Sequence, residues 1–199
     1  KFFDALFASL RSLKTLKCKI KDGMESFILP LFHSLRCLSS ILTLEIELET
    51  SVSFKNENLY SLSWLGSLRT LEELSIQISS KLLPTMFKKI VNSILMLPRL
   101  KSLKLLYPQA STQDFKHLSQ KIPKLGKIKI LHLALGISNE MDYWINLFSS
   151  IRSCISLEEL HLSGCRLANL NKGISYLKQT IKCLKHLKKI SISIENTLR

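Results

Sequence analysis

The sequence predicts an α/β solenoid of about seven stacked strand–helix units, with a curved parallel sheet on the concave side and helices on the convex side. Three observations predict it. One apolar phrase recurs at a nearly constant spacing. Within each copy the apolar period changes from three to two. The segments between copies carry helix signals.

The clearest copy is Leu65, Leu68, Leu71, Leu74, Ile76, Ile78. A period of three suits a helix end and a tight turn, and a period of two suits a strand with one buried face. The first copy is Leu10, Leu13, Leu16, Cys18, Ile20, after residues 1–9, which make at most a partial helix. The second is Leu35, Leu38, Ile41, Leu44, Ile46, Leu48. After the copy at Leu65 comes Leu97, Leu100, Leu103, Leu105. Then follow Ile122, Leu125, Ile128, Leu131, Leu133, Leu135, and next Ile151, Cys154, Leu157, Leu160, Leu162. The last is Ile181, Leu184, Leu187, Ile190, Ile192, Ile194. The first strand anchors stand at 16, 44, 74, 103, 131, 160 and 190, so the spacings are 28, 30, 29, 28, 29 and 30.

Helix signals fill the intervals. Pro84 opens a segment with Met86, Phe87, Ile90, Val91, Ile94 and Leu95 at helical spacing. Ser111 to Asp114 reads as an N-cap before Phe115, Leu118 and Ile122. Ser138-Asn139-Glu140 precedes Met141, Trp144, Ile145 and Phe148, and Gly173 precedes Ile174, Leu177 and Ile181. A single strand–helix unit cannot bury its own apolar face, so neighbours must stack. Trp64, Trp144, Phe87, Phe115 and Phe148 fall in helical segments, where core packing explains them without a ligand.

The L-x-x-L-x-x-L-x-L phrase with its period of 28–30 resembles the ribonuclease-inhibitor-like class of leucine-rich repeats over nearly the whole chain. That class places Asn or Cys shortly after the strand, where the side chain satisfies loop backbone. Here the positions hold Lys21 or Asp22, Glu49, Ser79, Tyr107, Gly136 and Cys165, and only Cys165 matches well. The loops after the strands are therefore expected to be less regular. Similar divergent repeats belong to ciliary and cytoskeletal scaffolds, immune receptors and ubiquitin-ligase adaptors, and the motif does not separate these.

The 199 residues are expected to form a single repeat domain, 1–199, cut from a longer array or protein, since the first residue is Lys and no polar capping unit closes the array. The strand Ile190-Ser-Ile192-Ser-Ile194 is expected to present an exposed edge. No apolar run nears the ~18 residues of a membrane span, and the start lacks a signal-peptide pattern. Cys18, Cys37, Cys154, Cys165 and Cys183 are odd in number and scattered, which favours reduced thiols in an intracellular, cytoplasmic setting.

Strand residues alternating with the anchors should face the concave side. The central column reads Lys17, Glu45, Ser75, Lys104, His132, His161, Ser191, flanked among others by Glu47, Glu73 and Glu159. His132 and His161 should be neighbours about 5 Å apart. With Glu159 they have a metal or acid–base reading, but two adjacent sheet histidines are favoured, because no further ligand is evident. Glu45, Glu47 and Glu49, with Glu72 and Glu73, make an acidic patch, better read as a solvated face than as a calcium loop.

Lys plus Arg number 29 against 15 acidic residues, a formal charge of +14, which favours an acidic partner. The basic residues gather where helix passes to strand. Arg11, Lys14, Arg69, Arg99, Lys101, Lys127, Lys129, Lys185 and Lys188 should line one rim, interrupted at Glu72–Glu73 and Glu158–Glu159. The rim serves either solubility or an extended acidic partner. It lacks aromatics, so base stacking is unsupported.

No phosphate loop, nucleophile elbow or zinc-protease motif is present, and no cofactor is expected. The function expected is a non-catalytic protein-interaction scaffold, working through the concave sheet and the basic rim in a cytoskeletal or ciliary assembly. The alternatives are a recognition module of a larger protein, such as a ubiquitin-ligase adaptor or immune-type receptor, and a nucleic-acid-binding solenoid.

Overall fold

Every phrase becomes a strand that begins one residue before its anchor. A computed structural model describes residues 2–21, 25–49, 64–79, 82, 84–136, 141–165 and 170–194. The chain divides into two compact units, Lys1–Leu100 and Lys101–Arg199. The first holds β1 (Thr15–Lys21), β2 (Thr43–Glu49) and β3 (Glu73–Ile78), with helices α1 (Phe2–Ser9), α2 (Glu25–Ser34) and α3 (Pro84–Ile94). The second holds β4 (Ser102–Tyr107), β5 (Ile130–Leu135), β6 (Glu159–Cys165) and β7 (Lys189–Ile194). Its helices are α4 (Thr112–Lys121), α5 (Met141–Ile151) and α6 (Leu170–Cys183).

Within each unit the strands pair in parallel and in chain order. Thr15 lies opposite Thr43, and Thr43 opposite Glu73. In the second unit Ser102 lies opposite Ile130, Ile130 opposite Glu159, and Glu159 opposite Lys189. The anchors therefore stack, Leu16 on Leu44 on Leu74, and Leu103 on Leu131 on Leu160 on Ile190. This is the α/β repeat-solenoid fold that the period predicts.

Burial follows the period of two. Along β2, β4 and β5 each anchor is buried and each residue between anchors is half-buried. Burying one such Leu or Ile contributes roughly 1.5–3 kcal/mol. The period-three half forms the turns. Leu13 donates its N–H to Leu10 O, Leu71 to Leu68 O, Ile128 to Leu125 O, Leu157 to Cys154 O, and Leu187 to Leu184 O. Just before each strand the backbones of neighbouring repeats join. Leu42 and Thr43 donate to Lys14 O, and Glu72 and Glu73 donate to Leu42 O. In the second unit Lys129 and Ile130 donate to Lys101 O, Glu158 and Glu159 to Lys129 O, and Lys188 and Lys189 to Glu158 O.

The helix signals resolve individually. Ser111 caps α4 in a reciprocal capping box with Asp114, and α3 starts at Pro84. Gly173 does not precede its helix. It lies inside α6 and is buried there, so burial overrides glycine's helix penalty of about 1 kcal/mol. The residues Ser138, Asn139 and Glu140, and Asp22, lie outside the described residues. Trp64 opens a 3-10 turn over 64–67. The aromatics pack together in the core: Phe32 on Trp64 at 5.3 Å, Phe115 on Trp144 at 5.3 Å, and Trp144 on Phe148 at 6.0 Å.

Side chains also tie the backbones of neighbouring repeats together. The Thr70 hydroxyl donates to Ile41 O at 2.7 Å, Thr180 donates to Phe148 O at 3.1 Å, and the Cys154 thiol reaches Ile122 O at 3.6 Å. Within β6 the ladder shifts register between Leu162 and Cys165. Gly164 sits there with φ 79°, and a Cβ on it would lie 2.4 Å from Leu135 O, so only glycine fits. In β7 the anchor Ile190 is 39% exposed, whereas Leu160 on β6 is fully buried.

Candidate functional site

Two kinds of surface carry the candidate residues: the open face of the strands in each unit, and the turns that lead into the strands. Each begins from the same cause. Anchors occupy one side of every strand, so the residues between them are presented on the other.

In the first unit the open face is a charge zipper. Lys17 on β1 bridges Glu45 at 3.1 Å and Glu47 at 3.0 Å on β2. Lys19 bridges Glu47 at 3.2 Å and Glu49 at 2.7 Å. The lysines hold the Glu47 carboxyl below the usual carboxylate range, Lys17 foremost, and Glu47 in turn raises Lys17. The acidic patch thus has its counter-charges on β1. On its other flank stand Ser75 and Gln77, and Thr43 donates to Glu73 at 3.4 Å.

In the second unit the column is Lys104, His132, His161, Ser191. The two imidazole centroids lie 5.5 Å apart at 42°. Glu159 sits 3.3 Å from His161 Nε2 and 3.4 Å from Lys189 Nζ. Its carboxyl is held below the ordinary range, chiefly by the hydrogen bond with His161. Partial burial lowers the His132 pKa, with Lys104 and His161 adding repulsion. Among the described residues no group of three or more His, Cys, Asp or Glu side chains is placed to hold a metal ion. Burial pushes the Cys18 thiol up to about 11 and Cys154 to about 12, which leaves both protonated and unreactive near neutrality.

The basic rim separates into two rows. The inner row stands just before the strands: Lys14 in the first unit, and Lys101, Lys129 and Lys188 in the second, with Glu158 between the last two. Glu158 accepts from Lys129 at 2.7 Å and from Lys188 at 2.7 Å. Both hydrogen bonds hold its carboxyl down to about 2. The sequence shows Glu158 only as an interruption. The structure makes it a clamp that uses two of the rim's lysines, which the 29- and 30-residue offsets to its partners could have revealed.

The outer row occupies the centres of the turns. In the first unit these are Arg11-Ser12, Ser39-Ser40, Arg69-Thr70 and Pro98-Arg99. In the second they are Gly126-Lys127, Ile155-Ser156 and Lys185-His186. Arg11, Arg69, Arg99, Lys127 and Lys185 are all exposed. None of the described turn centres holds an acid, and no ion pair engages these five among the described residues.

No family model and no curated protein sequence matches the chain. Among solved structures it is similar to the tropomodulin C-terminal domain of Caenorhabditis elegans, at a TM-score of 0.53 and 14% identity, covering 76% of this chain and 92% of that one. At that identity the likeness shows the fold. No helix among the described residues is long and apolar enough to cross a membrane.

Proposed function

We propose that this chain is a non-catalytic protein-interaction scaffold built from ribonuclease-inhibitor-like leucine-rich repeats. Partners bind across the open sheet faces and along the basic turns, in a cytoskeletal or ciliary assembly. The observation that carries this reading is the outer row. Five exposed cations recur at turn centres with no acid among them, while the inner row is partly neutralised by Glu158. Uncompensated charge of one sign attracts and orients a partner of the other. The half-exposed polar columns offer many shallow contacts, the pattern of a recognition surface rather than of a concave catalytic site. The fold shared with the tropomodulin domain fits a cytoskeletal setting.

The test is site-directed photo-crosslinking in cells. A crosslinker at Gln77 or Ser163 on the open faces, or at Arg69 in the turns, is expected to capture partner proteins. One at Lys88 or Gln120, exposed on helices α3 and α4, is expected to capture little. Adducts from the helix positions alone would overturn the proposal.

A further inference from the structure

In the second unit the turn before β6 departs from its neighbours. The turns 125–128, 154–157 and 184–187 are closed by the same backbone bond, and the strands that follow them are in register. Their centres therefore stack in two columns. One column reads Gly126, Ile155, Lys185, and the other Lys127, Ser156, His186.

Ile155 is 64% exposed. Turn centres favour Gly, Pro, Asn, Asp and Ser, so turn chemistry does not call for a β-branched apolar residue there. The other exposed large apolar residues described stand elsewhere in the fold: Leu6 is in α1, Met96 comes just after α3, and Ile190 is a strand anchor. Ile155 stands at a turn centre, with exposed cations in the turns on either side. Beside it Gly126 leaves open space: nothing lies within 4 Å of a Cβ built there. On the two flanks Lys127, and Lys185 with His186, are exposed. The nearest acid in chain order, Glu158, is sealed between Lys129 and Lys188.

We infer that this turn edge is a docking site for an acidic polypeptide segment that seats one aliphatic side chain on Ile155, in the notch left by Gly126, between the basic turns on either side. The inference rests on the interaction-scaffold reading and names the surface and the partner chemistry. Adjacent strands stand about 4.8 Å apart, so the flanking cations are about 10 Å from each other. An extended segment with acids two residues before and after a leucine presents them on one face about 13 Å apart, a difference that the flexible lysine stems can span. The chemistry points to a peptide. No Phe, Tyr or Trp ring is present for base stacking, and one isoleucine is too little apolar area to anchor a bilayer.

The test uses the full chain and two fluorescent peptides, Glu-Glu-Leu-Glu-Glu repeated twice and the same peptide with Ser for Leu. Anisotropy is expected to show the leucine peptide binding about 10-fold more tightly. Ile155→Ser should abolish that preference. Gly126→Asp, at a position where an added Cβ meets nothing within 4 Å, should weaken the leucine peptide, and an unshifted thermal melt would show that the fold is retained. Equal affinity for the two peptides, or a preference that survives Ile155→Ser, overturns the site. So does tighter binding of duplex DNA or phosphatidylserine vesicles that is lost in Gly126→Asp. Any of these failures would leave the crosslinking result on the open faces and at Arg69 where it stands, so the two readings fail separately.

Discussion

The open face of the first unit is held by ion pairs between adjacent strands, whereas the central column of the second brings like groups together. Both rest on the same parallel register. In the first, Lys17 and Lys19 face Glu45, Glu47 and Glu49 across one strand step. In the second, Lys104 faces His132 and His132 faces His161. One strand step brings facing side chains to about 5 Å, close enough for either attraction or repulsion to matter. The anchors make the two frames equivalent, and the residues between the anchors make them electrostatically different. A partner would meet carboxylates already engaged by lysines on the first face and a pair of neighbouring imidazoles on the second.

The equivalence of the frames gives the largest predicted effect. Leu44 in the first unit and Leu131 in the second are both fully buried anchors. Leu44→Ala and Leu131→Ala should each destabilise by roughly 2–5 kcal/mol, read from urea unfolding. Ile190→Ala removes an anchor that is 39% exposed and should cost about 1 kcal/mol. If Ile190→Ala costs as much as Leu131→Ala, β7 is covered in solution and the anchor hierarchy is wrong.

A smaller effect separates two glycines of the second unit. Gly164→Ala places a Cβ at a positive φ against Leu135 O and should cost about 1–3 kcal/mol. Gly126→Ala meets nothing and should leave the unfolding midpoint within about 0.5 kcal/mol of the parent. Equal losses at the two positions would deny the bulge its structural role.

The frame was readable in the sequence because it rests on apolar spacing, and the strands start one residue before the anchors that spacing picked out. The capping box at Ser111 was readable because it is local. The helical spacing of Ile174, Leu177 and Ile181 was readable too, and only the start of α6, upstream of the buried Gly173, was not. The offsets of 29 and 30 residues could place Glu158 beside Lys129 and Lys188, but the contacts of the clamp and the zipper depend on which rotamers long side chains adopt across a strand step. Ile155 was hidden for another reason. It follows Cys154, which occupies a phrase position, so it reads as part of an apolar run until the turn exposes it.

The Glu158 clamp gives an effect on charge rather than on the fold. Its carboxyl should titrate near 2 by carbon NMR, well below an ordinary glutamate. Its folded value is lowered, so the pairing contributes fully above the ordinary glutamate range and is lost as pH falls toward about 2. Glu158→Gln frees Lys129 and Lys188 and should lengthen retention on a heparin column, with no such change for Glu47→Gln in the first unit, where three carboxylates share two lysines. Unchanged retention for Glu158→Gln would mean that the inner row does not face a polyanion.

The subtlest contrast concerns the histidines. His132 is lowered first by partial burial and then by Lys104 and His161, so its folded form resists the proton more than an unfolded chain does. The sign follows directly: acidification through the imidazole range draws protons to the unfolded state, and the second unit loses stability as pH falls. The first unit's open face has no histidine on β1, β2 or β3, so its zipper should be indifferent over the same range. Proton NMR should place the His132 midpoint below that of a free imidazole, and Lys104→Gln should move it back up. A midpoint unmoved by Lys104→Gln would mean that burial alone sets it, and the contrast between the two faces would then owe nothing to the cation beside the ring.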